Sequence, residues 1–258
     1  MPGPALITGA SAGIGRAFAG VFARHGHDLL LTARDGARLH ALRTELEAGH
    51  GVAVRVIEAD LSDPESPGRL HAAAGPVDYL VNNAGVGALD AFAAMDTEKI
   101  EGMLAINIAA LTRLTRLFLP DMLQRRRGHI LNVASTAAFQ PGPLLAVYYA
   151  SKAYVLSLSE ALSNEAEDSG VKVTALCPGP TRSDFHHSAG MHYSGYLLNS
   201  MPAAEAVAAY GYRAMLRGKR VAVHGRGNRL LAAAARLAPR GLVLALGRKL
   251  AEGKREPQ

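Results

Sequence analysis

The chain alternates short apolar runs with longer stretches whose apolar residues recur at helical spacing. The runs are rich in Leu, Val and Ile and are bounded by Gly, Asp or Asn. Such runs are typical of strands in a parallel sheet that helices cover on both faces. The pattern therefore predicts an α/β fold with a doubly wound parallel sheet of about seven strands flanked by helices. The predicted strands span residues 5–7, 29–31, 52–57, 77–81, 129–133, 171–176 and 220–223.

The same pattern favours one domain for the whole chain. No internal repeat, low-complexity tract or long linker of Pro, Gly and Ser divides residues 1–258. The segment of about 181–200 has no clear period and is expected to form a substrate loop. The segment of about 228–258 alternates Leu and Ala with Arg and Lys, which predicts a basic helical tail. This tail suits three surfaces: its own domain, a second subunit or the surface of a membrane.

Composition narrows the class of protein. Hydrophobic residues make up 49% of the chain and charged residues 19%, which predicts a globular protein. The net charge of +6 suits a nucleic acid, an anionic membrane or a phosphate-bearing cofactor without choosing among them. The lone Cys177 excludes an internal disulfide, and its apolar surroundings indicate a core thiol. Neither a signal-peptide pattern nor an uncharged apolar stretch of ~20 residues is found, so we expect a cytoplasmic protein without a transmembrane segment.

A glycine-rich turn follows the first predicted strand. Residues 8–15 read TGASAGIG, and a helix is predicted directly after them. A strand, a turn and a helix in this order are the context of the Rossmann-type dinucleotide-binding turn. Glycines let the pyrophosphate approach the backbone, and the helix N-terminus offers free N–H groups. The spacing of Gly9, Gly13 and Gly15 departs from the commoner GxGxxG, but the context still predicts a dinucleotide site.

The end of the second strand indicates which dinucleotide binds. An acidic residue there bonds the ribose 2′-hydroxyl of NAD, whereas an Arg accommodates the 2′-phosphate of NADP. Ala33 and Arg34 occupy this place, so we expect NADP(H) to be preferred over NAD(H). Asp35 has two interpretations, an acid for the ribose or an N-cap of the next helix, and we favour the cap.

Four polar residues form a candidate catalytic set. Tyr148 and Lys152 are four apart in a helical stretch and share a face, Ser135 follows a strand, and Asn107 interrupts the apolar stripe of a helix at 96–124. An ammonium about 5 Å from a phenol contributes about 3 kcal/mol at an effective dielectric of ~20, or about two pK units. We therefore expect Lys152 to lower the pKa of Tyr148 so that it serves as a general acid and base. Taken singly, Tyr148 and Lys152 also fit a solvated helix face. Ser135 also fits a turn, and Asn107 an amide bonded to the neighbouring backbone.

These motifs together resemble the short-chain dehydrogenase/reductase family over about residues 4–225. The turn at residues 8–15 is similar to the family's TGxxxGxG. Asp60 and Leu61 resemble its adenine-contacting pair, and residues 82–85 its NNAG segment. Asn107, Ser135 and the YxxxK pair Tyr148 and Lys152 follow in the family's order, and Pro178-Gly179 follows the sixth strand.

The resemblance implies an oxidoreductase that reduces a carbonyl or oxidises the secondary alcohol, with NADP(H) favoured by Arg34. The apolar and aromatic residues of the 181–200 segment suggest a medium-sized, largely apolar substrate. Tyr148 would be the general acid and base, Ser135 would donate to the substrate oxygen, Lys152 would also hold the nicotinamide ribose, and Asn107 would position a water relay. A homodimer or homotetramer is implied, paired through helices at 96–124 and 147–168. The alternative is a catalytically silent NADP-binding scaffold or regulator. The implied cofactor-binding residues are Gly9, Ser11, Ala12, Gly13, Ile14, Gly15, Arg34, Asp60, Leu61, Asn83, Ala84, Gly85, Tyr148, Lys152, Pro178, Gly179, Thr181 and Ser183.

Some features depart from the family or suggest other ligands. Ala12 stands where the family often has a basic residue, so recognition of the 2′-phosphate rests on Arg34, and Ser183 replaces a frequent Thr. The His-rich segment near residues 186–192 lacks acidic partners, so no metal is expected. Residues 125–128, RRRG, could bind a nucleic acid, but we interpret the arginines as the C-terminal turn of a helix that Gly128 ends, and expect no nucleic-acid partner.

Overall fold

The computed structural model describes residues 3–193 and 195–253. Its strands form one parallel sheet, which confirms the predicted seven-stranded, doubly wound architecture. The strands are β1 (Ala5–Thr8), β2 (Leu29–Ala33), β3 (Val54–Glu58), β4 (Tyr79–Asn82), β5 (Gly128–Val133), β6 (Val171–Cys177) and β7 (Val221–Val223). They lie in the order β3-β2-β1-β4-β5-β6-β7, so the direction of winding reverses between β1 and β4. In such sheets, ligands bind outside the carboxyl ends of the strands at this reversal.

Helices cover both faces of the sheet, because alternate strand side chains point to opposite sides. Ile7 of β1 packs with one set of helices and Leu6 with the other. The helices are α1 (Gly13–Arg24), α2 (Gly36–His50), α3 (Ser66–Ala74), α4 (Thr97–Leu104), α5 (Leu111–Gln124), α6 (Ala146–Glu165), α7 (Phe185–Ser188), α8 (Gly195–Ser200), α9 (Ala204–Leu216), α10 (Arg226–Leu237) and α11 (Arg240–Glu252). α1, α2 and α9 pack on one face, and α3, α5 and α6 on the other.

Helices α4 and α5 are parts of one continuous helix joined by a π-helical turn at Ala105–Ala110. By length and composition this helix, Thr97–Gln124, is apolar enough to cross a membrane, and it is alone in this among the described residues. Its Leu114, Phe118 and Met122 are nevertheless buried against β4, β5 and α3. This is the position of a crossover helix in an α/β fold, so we describe it as part of the domain.

The end of α5 differs from the sequence interpretation. Gly128 was expected to end the helix, but the chain reverses at Arg126, whose φ is 51°. Gly128 instead opens β5, where a Cβ would lie 2.5 Å from the Met122 side chain, so glycine is needed for packing. Arg125 bonds to Asp78 at 2.8 Å, and Arg127 also pairs with Asp78. Two of the three arginines are therefore engaged in ion pairs within the domain.

The two C-terminal segments singled out from the sequence contain helices. The segment of about 181–200 includes the short helices α7 and α8 and is not a plain loop. The predicted basic tail forms α10 and α11, separated by Pro239. Ala232 of α10 and Val243 and Ala251 of α11 are buried, so the tail packs on its own domain; residues 254–258 lie outside the described part.

Candidate active site

A cavity of about 590 Å³ runs along the carboxyl ends of the central strands. Of the twenty site residues predicted from the sequence, eighteen line the cavity, and Gly15 and Asn107 do not. The residues from the sequence prediction that do line the cavity are Gly9, Ser11, Ala12, Gly13, Ile14, Arg34, Asp60, Leu61, Asn83, Ala84, Gly85, Ser135, Tyr148, Lys152, Pro178, Gly179, Thr181 and Ser183. The fold thus brings together residues that are up to about 170 positions apart in the chain.

Gly15 does not line the cavity but supports the glycine-rich turn that does. A Cβ on Gly15 would lie 2.2 Å from the Gly9 carbonyl oxygen, so only glycine lets α1 approach the turn this closely. Gly9 and Gly13 have φ values of 65° and 54°, which favour glycine. The N-cap of α1 is Ala12, which has no side-chain acceptor, so the first N–H groups of the helix keep their capacity to bind an anion.

Asn83 fixes the end of β4 to the glycine-rich turn. Its side-chain amide donates to the carbonyl oxygens of Thr8 at 2.9 Å and Gly9 at 3.2 Å. In return, the Thr8 hydroxyl accepts from the backbone N–H groups of Asn83 and Ala84, both at 2.9 Å. These four bonds explain why the chain has Thr and Asn at these places: they fix the turn to the end of β4, across the reversal of the sheet.

One end of the cavity carries two arginines. Arg34 and Arg38 both line it at the end of β2 and the start of α2. Asp35 is the N-cap of α2, as interpreted from the sequence, and its carboxylate accepts from the Arg38 backbone N–H at 3.0 Å. The Arg38 guanidinium lies 3.3 Å from Asp35 and 3.7 Å from Asp184. Sequence reasoning missed Arg38, although its place in the first turn of the helix that follows Arg34 was a usable signal.

Asp60 follows β3 at the same end of the cavity. Its carboxylate accepts from the backbone N–H of Ser62 at 2.9 Å and from the Ser62 hydroxyl at 2.7 Å. These bonds, with a smaller contribution from Arg34, lower the pKa of Asp60 below its ordinary value. The carboxylate is therefore charged at neutral pH and rigidly held.

Tyr148, Ser135 and Lys152 meet at the middle of the cavity. The Ser135 hydroxyl oxygen accepts from the Ala137 N–H at 3.1 Å and makes a long 3.5 Å bond to the Pro178 carbonyl. The Lys152 Nζ donates to the Val133 carbonyl oxygen at 2.8 Å and lies 5.8 Å from the centre of the Tyr148 ring. The phenol and the ammonium, both from α6, thus face the same space as the hydroxyl that follows β5.

The electrostatics of this group differ from the expectation. Burial raises the pKa of Tyr148 to about 12, and hydrogen bonding with Ser135 lowers it only partly. Burial also lowers the pKa of Lys152 from 10.5 to about 8. The expected lowering of the phenol pKa by Lys152 is wrong for this structure, because burial of the phenol raises its pKa by more than the hydrogen bond with Ser135 lowers it.

Asn107 is buried within the π-helical turn, and its amide is fully engaged. Its Oδ1 accepts from the Val86 N–H at 2.9 Å, and its Nδ2 donates to the Val86 carbonyl at 2.9 Å and the Ser151 hydroxyl at 3.0 Å. Ser151 in turn donates to the Tyr148 carbonyl oxygen at 2.7 Å. Asn107 therefore ties the segment after β4 to the helix that carries Tyr148 and Lys152. Sequence reasoning missed Ser151, which sits inside the YxxxK motif.

The other end of the cavity is lined by apolar and aromatic side chains. They come from the segment after β5, from α6, from the region of α7 and from the C-terminal tail. Sequence reasoning placed the segment of about 181–200 near the substrate but gave the tail no such place. The apolar and aromatic residues of this compartment are Phe139, Leu145, Tyr149, Phe185, Met191, Tyr193, Leu231 and Leu250.

Two further sequence interpretations concern cysteine and metals. Cys177 is fully buried at the end of β6, and burial raises the pKa of its thiol to about 12, which confirms a core thiol. Within residues 3–193 and 195–253, no group of three or more His, Cys, Asp and Glu side chains is arranged to hold a metal ion.

Comparison with known proteins identifies the family. The short chain dehydrogenase family model matches residues 4–193, so the chain belongs to the short-chain dehydrogenases, oxidoreductases that act on alcohol and carbonyl groups with a nicotinamide cofactor. Among curated relatives, 17-beta-hydroxysteroid dehydrogenase type 3 of Mus musculus is 36% identical over 180 residues. That match covers 67% of this chain and 58% of the mouse protein.

Two solved structures show the same architecture with different cofactors. A short-chain dehydrogenase from Sphingobium yanoikuyae in complex with NADPH is 32% identical to this chain and has a TM-score of 0.82. The match covers 100% of this chain and 98% of the Sphingobium chain. A short-chain dehydrogenase/reductase from Burkholderia phymatum in complex with NAD is 28% identical, has a TM-score of 0.81, and is matched over 96% of both chains. Family membership thus leaves the choice between NADP and NAD to this chain's own residues.

Proposed function

We propose that this protein is an NADP(H)-dependent carbonyl reductase for medium-sized, largely apolar ketones, which also oxidises the corresponding secondary alcohols. The observation that carries this proposal is the meeting of Tyr148, Ser135 and Lys152 in one cavity. That cavity joins a glycine-rich turn at one end to an apolar compartment at the other. When bound, the nicotinamide supplies or accepts the hydride.

The residues of the turn fit a dinucleotide. Gly9, Gly13 and the uncapped start of α1 suit the pyrophosphate, and Asp60 and Leu61 suit the adenine. Arg34 and Arg38 favour a 2′-phosphate because guanidinium groups bond phosphate oxygens strongly. Asp35 is the only carboxylate directly after β2, and its engagement as a helix cap leaves it poorly placed for a ribose 2′-hydroxyl. We therefore propose a preference for NADPH over NADH.

Tyr148 acts as the proton donor in the direction of reduction. With a pKa of about 12 it is protonated at neutral pH, so it can donate to the carbonyl oxygen as negative charge develops there. The Ser135 hydroxyl makes only a long bond to Pro178 and can turn to donate to the same oxygen. Two donors then stabilise the developing alkoxide.

Lys152 stabilises the phenolate that Tyr148 becomes. Its Nζ is 5.8 Å from the ring, and the buried position strengthens attraction between the two charges. Its bond to the Val133 carbonyl oxygen fixes the ammonium beside the tyrosine, and the ammonium would also bond the nicotinamide ribose of a bound cofactor. Asn107 acts through Ser151 and Val86 as a positioning residue, since both of its amide hydrogens are already donated.

The apolar compartment supports a ketone with a bulky hydrocarbon part. Phe185 and Tyr149 pack around the Tyr148 ring, with ring centres 5.5 Å and 6.1 Å away. A substrate oxygen near Tyr148 would therefore leave the rest of its skeleton against aromatic and aliphatic side chains. The similarity to a 17-beta-hydroxysteroid dehydrogenase is consistent with a substrate of this size.

Turnover of a panel of aliphatic, aromatic and steroid ketones with NADPH and with NADH tests the proposal, with Tyr148→Phe as the decisive variant. We expect reduction with NADPH by the parent, and loss of turnover in Tyr148→Phe with unchanged NADPH affinity, because phenylalanine keeps the packing and lacks the proton. Tyr154→Phe, a second tyrosine of α6, is the matched control. Tight NADPH binding without turnover on any ketone or alcohol would instead support a silent scaffold.

A further inference from the structure

The C-terminal helices expose an unusual number of leucines. Leu230 and Leu237 of α10 are 72% and 87% exposed, and they lie seven residues apart on one face. Leu242 and Leu246 of α11 are 55% and 54% exposed and are one helical turn apart. Exposed apolar side chains of this kind mark a surface that a partner protein or a membrane covers. We name Leu230, Leu237, Leu242 and Leu246 the leucine surface.

The same segment carries all of the chain's net charge. Residues 226–258 hold eight of the 28 Lys and Arg residues and two of the 22 Asp and Glu residues, so residues 1–225 hold 20 of each sign. Of the eight cations, Arg240, Arg248 and Lys249 belong to α11. Residues 1–225 therefore carry no net charge, and the segment that follows, which contains α10 and α11, is strongly basic and exposes leucines.

The combination of exposed leucines and positive charge distinguishes a membrane from a second copy of the chain as the partner that covers the leucine surface. A second copy of the chain would bring its basic tail or its residues 1–225, which have no net charge, against the leucine surface. Electrostatics would then oppose the pairing or make no contribution to it. An anionic bilayer attracts the Lys and Arg residues and takes up the leucines at the boundary of headgroups and acyl chains. Its charge complements the tail, and its apolar interior complements the leucines.

We propose that α10 and α11 dock the protein on the surface of membranes that contain anionic phospholipids. Leu231 of α10 and Leu250 of α11 are 69% and 65% exposed and also line the cavity. Docking through this segment therefore places the mouth of the cavity against the bilayer. A consequence, which rests on the proposed function, is that apolar ketones reach the cavity from the lipid phase.

Sedimentation of the full chain with lipid vesicles tests the docking directly. We expect binding to vesicles of phosphatidylcholine mixed with phosphatidylglycerol, weak binding to phosphatidylcholine alone, and release at high salt. Two variants separate the contributions. Replacing Leu230, Leu237, Leu242 and Leu246 with Gln removes the leucine surface, and Arg240→Gln with Arg248→Gln and Lys249→Gln removes three charges. Each variant should weaken binding to the mixed vesicles by about tenfold or more.

The matched control is Leu216→Gln with Arg217→Gln, an exposed leucine and its neighbouring arginine at the end of α9. It should bind like the parent, and unchanged thermal melting of all variants excludes unfolding as the cause. Equal binding to neutral and anionic vesicles, or no binding to either, would overturn the proposal. So would light scattering that shows an oligomer which only the leucine variant dissociates, because a second copy would then cover the surface. Vesicle binding needs no turnover, so its failure is distinct from failure of the proposed reductase activity.

Discussion

The preference for NADPH depends on two guanidinium groups whose surroundings differ, and their separate removal tests the cofactor site. No described carboxylate lies within ion-pairing distance of Arg34, whereas Arg38 lies within 4 Å of Asp35 and Asp184. A hydrogen bond to a charged group contributes about 1.5–3 kcal/mol. Arg34→Ala should therefore raise the dissociation constant of NADPH about ten- to a hundredfold.

Arg38→Ala should have a smaller effect. Its guanidinium is shared with two exposed carboxylates, and loss of such exposed ion pairs changes little by itself, about 0–1 kcal/mol. We expect a weakening of NADPH binding of about three- to tenfold. Because both side chains would contact one phosphate, the double variant should depart from the product of the single effects. Neither variant should change the affinity for NADH by more than about twofold, because NADH has no 2′-phosphate.

The assay is a fluorescence or calorimetric titration of each variant with both cofactors at one ionic strength, since salt screens exposed charges. Arg43→Ala is the control, because Arg43 is on the same helix, α2, and pairs with Glu47 at 3.1 Å instead of lining the cavity. Equal losses for NADPH and NADH in Arg34→Ala would refute the reasoning. Tighter binding of NADH than NADPH by the parent would refute the cofactor preference itself.

Three other outcomes are expected. The pKa of Lys152 is lowered to about 8, so its ammonium is lost as pH rises through that value, and kcat/KM for ketone reduction should fall there; a rate that stays level well above pH 8 contradicts the role of the ammonium. Asn107→Ala removes the side-chain partner of the Val86 N–H and carbonyl groups and the donor to the Ser151 hydroxyl, so thermal melting should show a loss of about 1–3 kcal/mol, and a variant as stable as the parent would contradict the positioning role. Light scattering at micromolar concentration should show a homodimer or homotetramer that pairs through the continuous helix of α4 and α5 and through α6, and a monomer would contradict this prediction.

The fold and the position of the site could be read from the sequence because both depend on local patterns. Apolar runs define strands buried on two sides, and residues that directly follow parallel strands must meet at one edge of the sheet. The glycine-rich turn, Asp60, Asn83 and Ser135 each follow such a strand and line one cavity, and the resemblance to the family's motifs predicts them as site residues. The cap formed by Asp35 could be anticipated for a similar reason, since capping is a contact between near neighbours in the chain.

The remaining features depend on contacts between residues distant in sequence or on how deeply a group is buried. Spacing brings Lys152 near Tyr148, but the sign of the pKa shift depends on how much water the whole cavity excludes, and burial determines it here. The Asn107–Ser151–Tyr148 chain of bonds joins two helices that only the folded sheet brings together. A protonated Tyr148 also bears on direction: the group is ready to donate a proton to a ketone at neutral pH, whereas alcohol oxidation requires the phenolate, whose population rises with pH. The ratio of oxidation to reduction rates should therefore increase as pH rises.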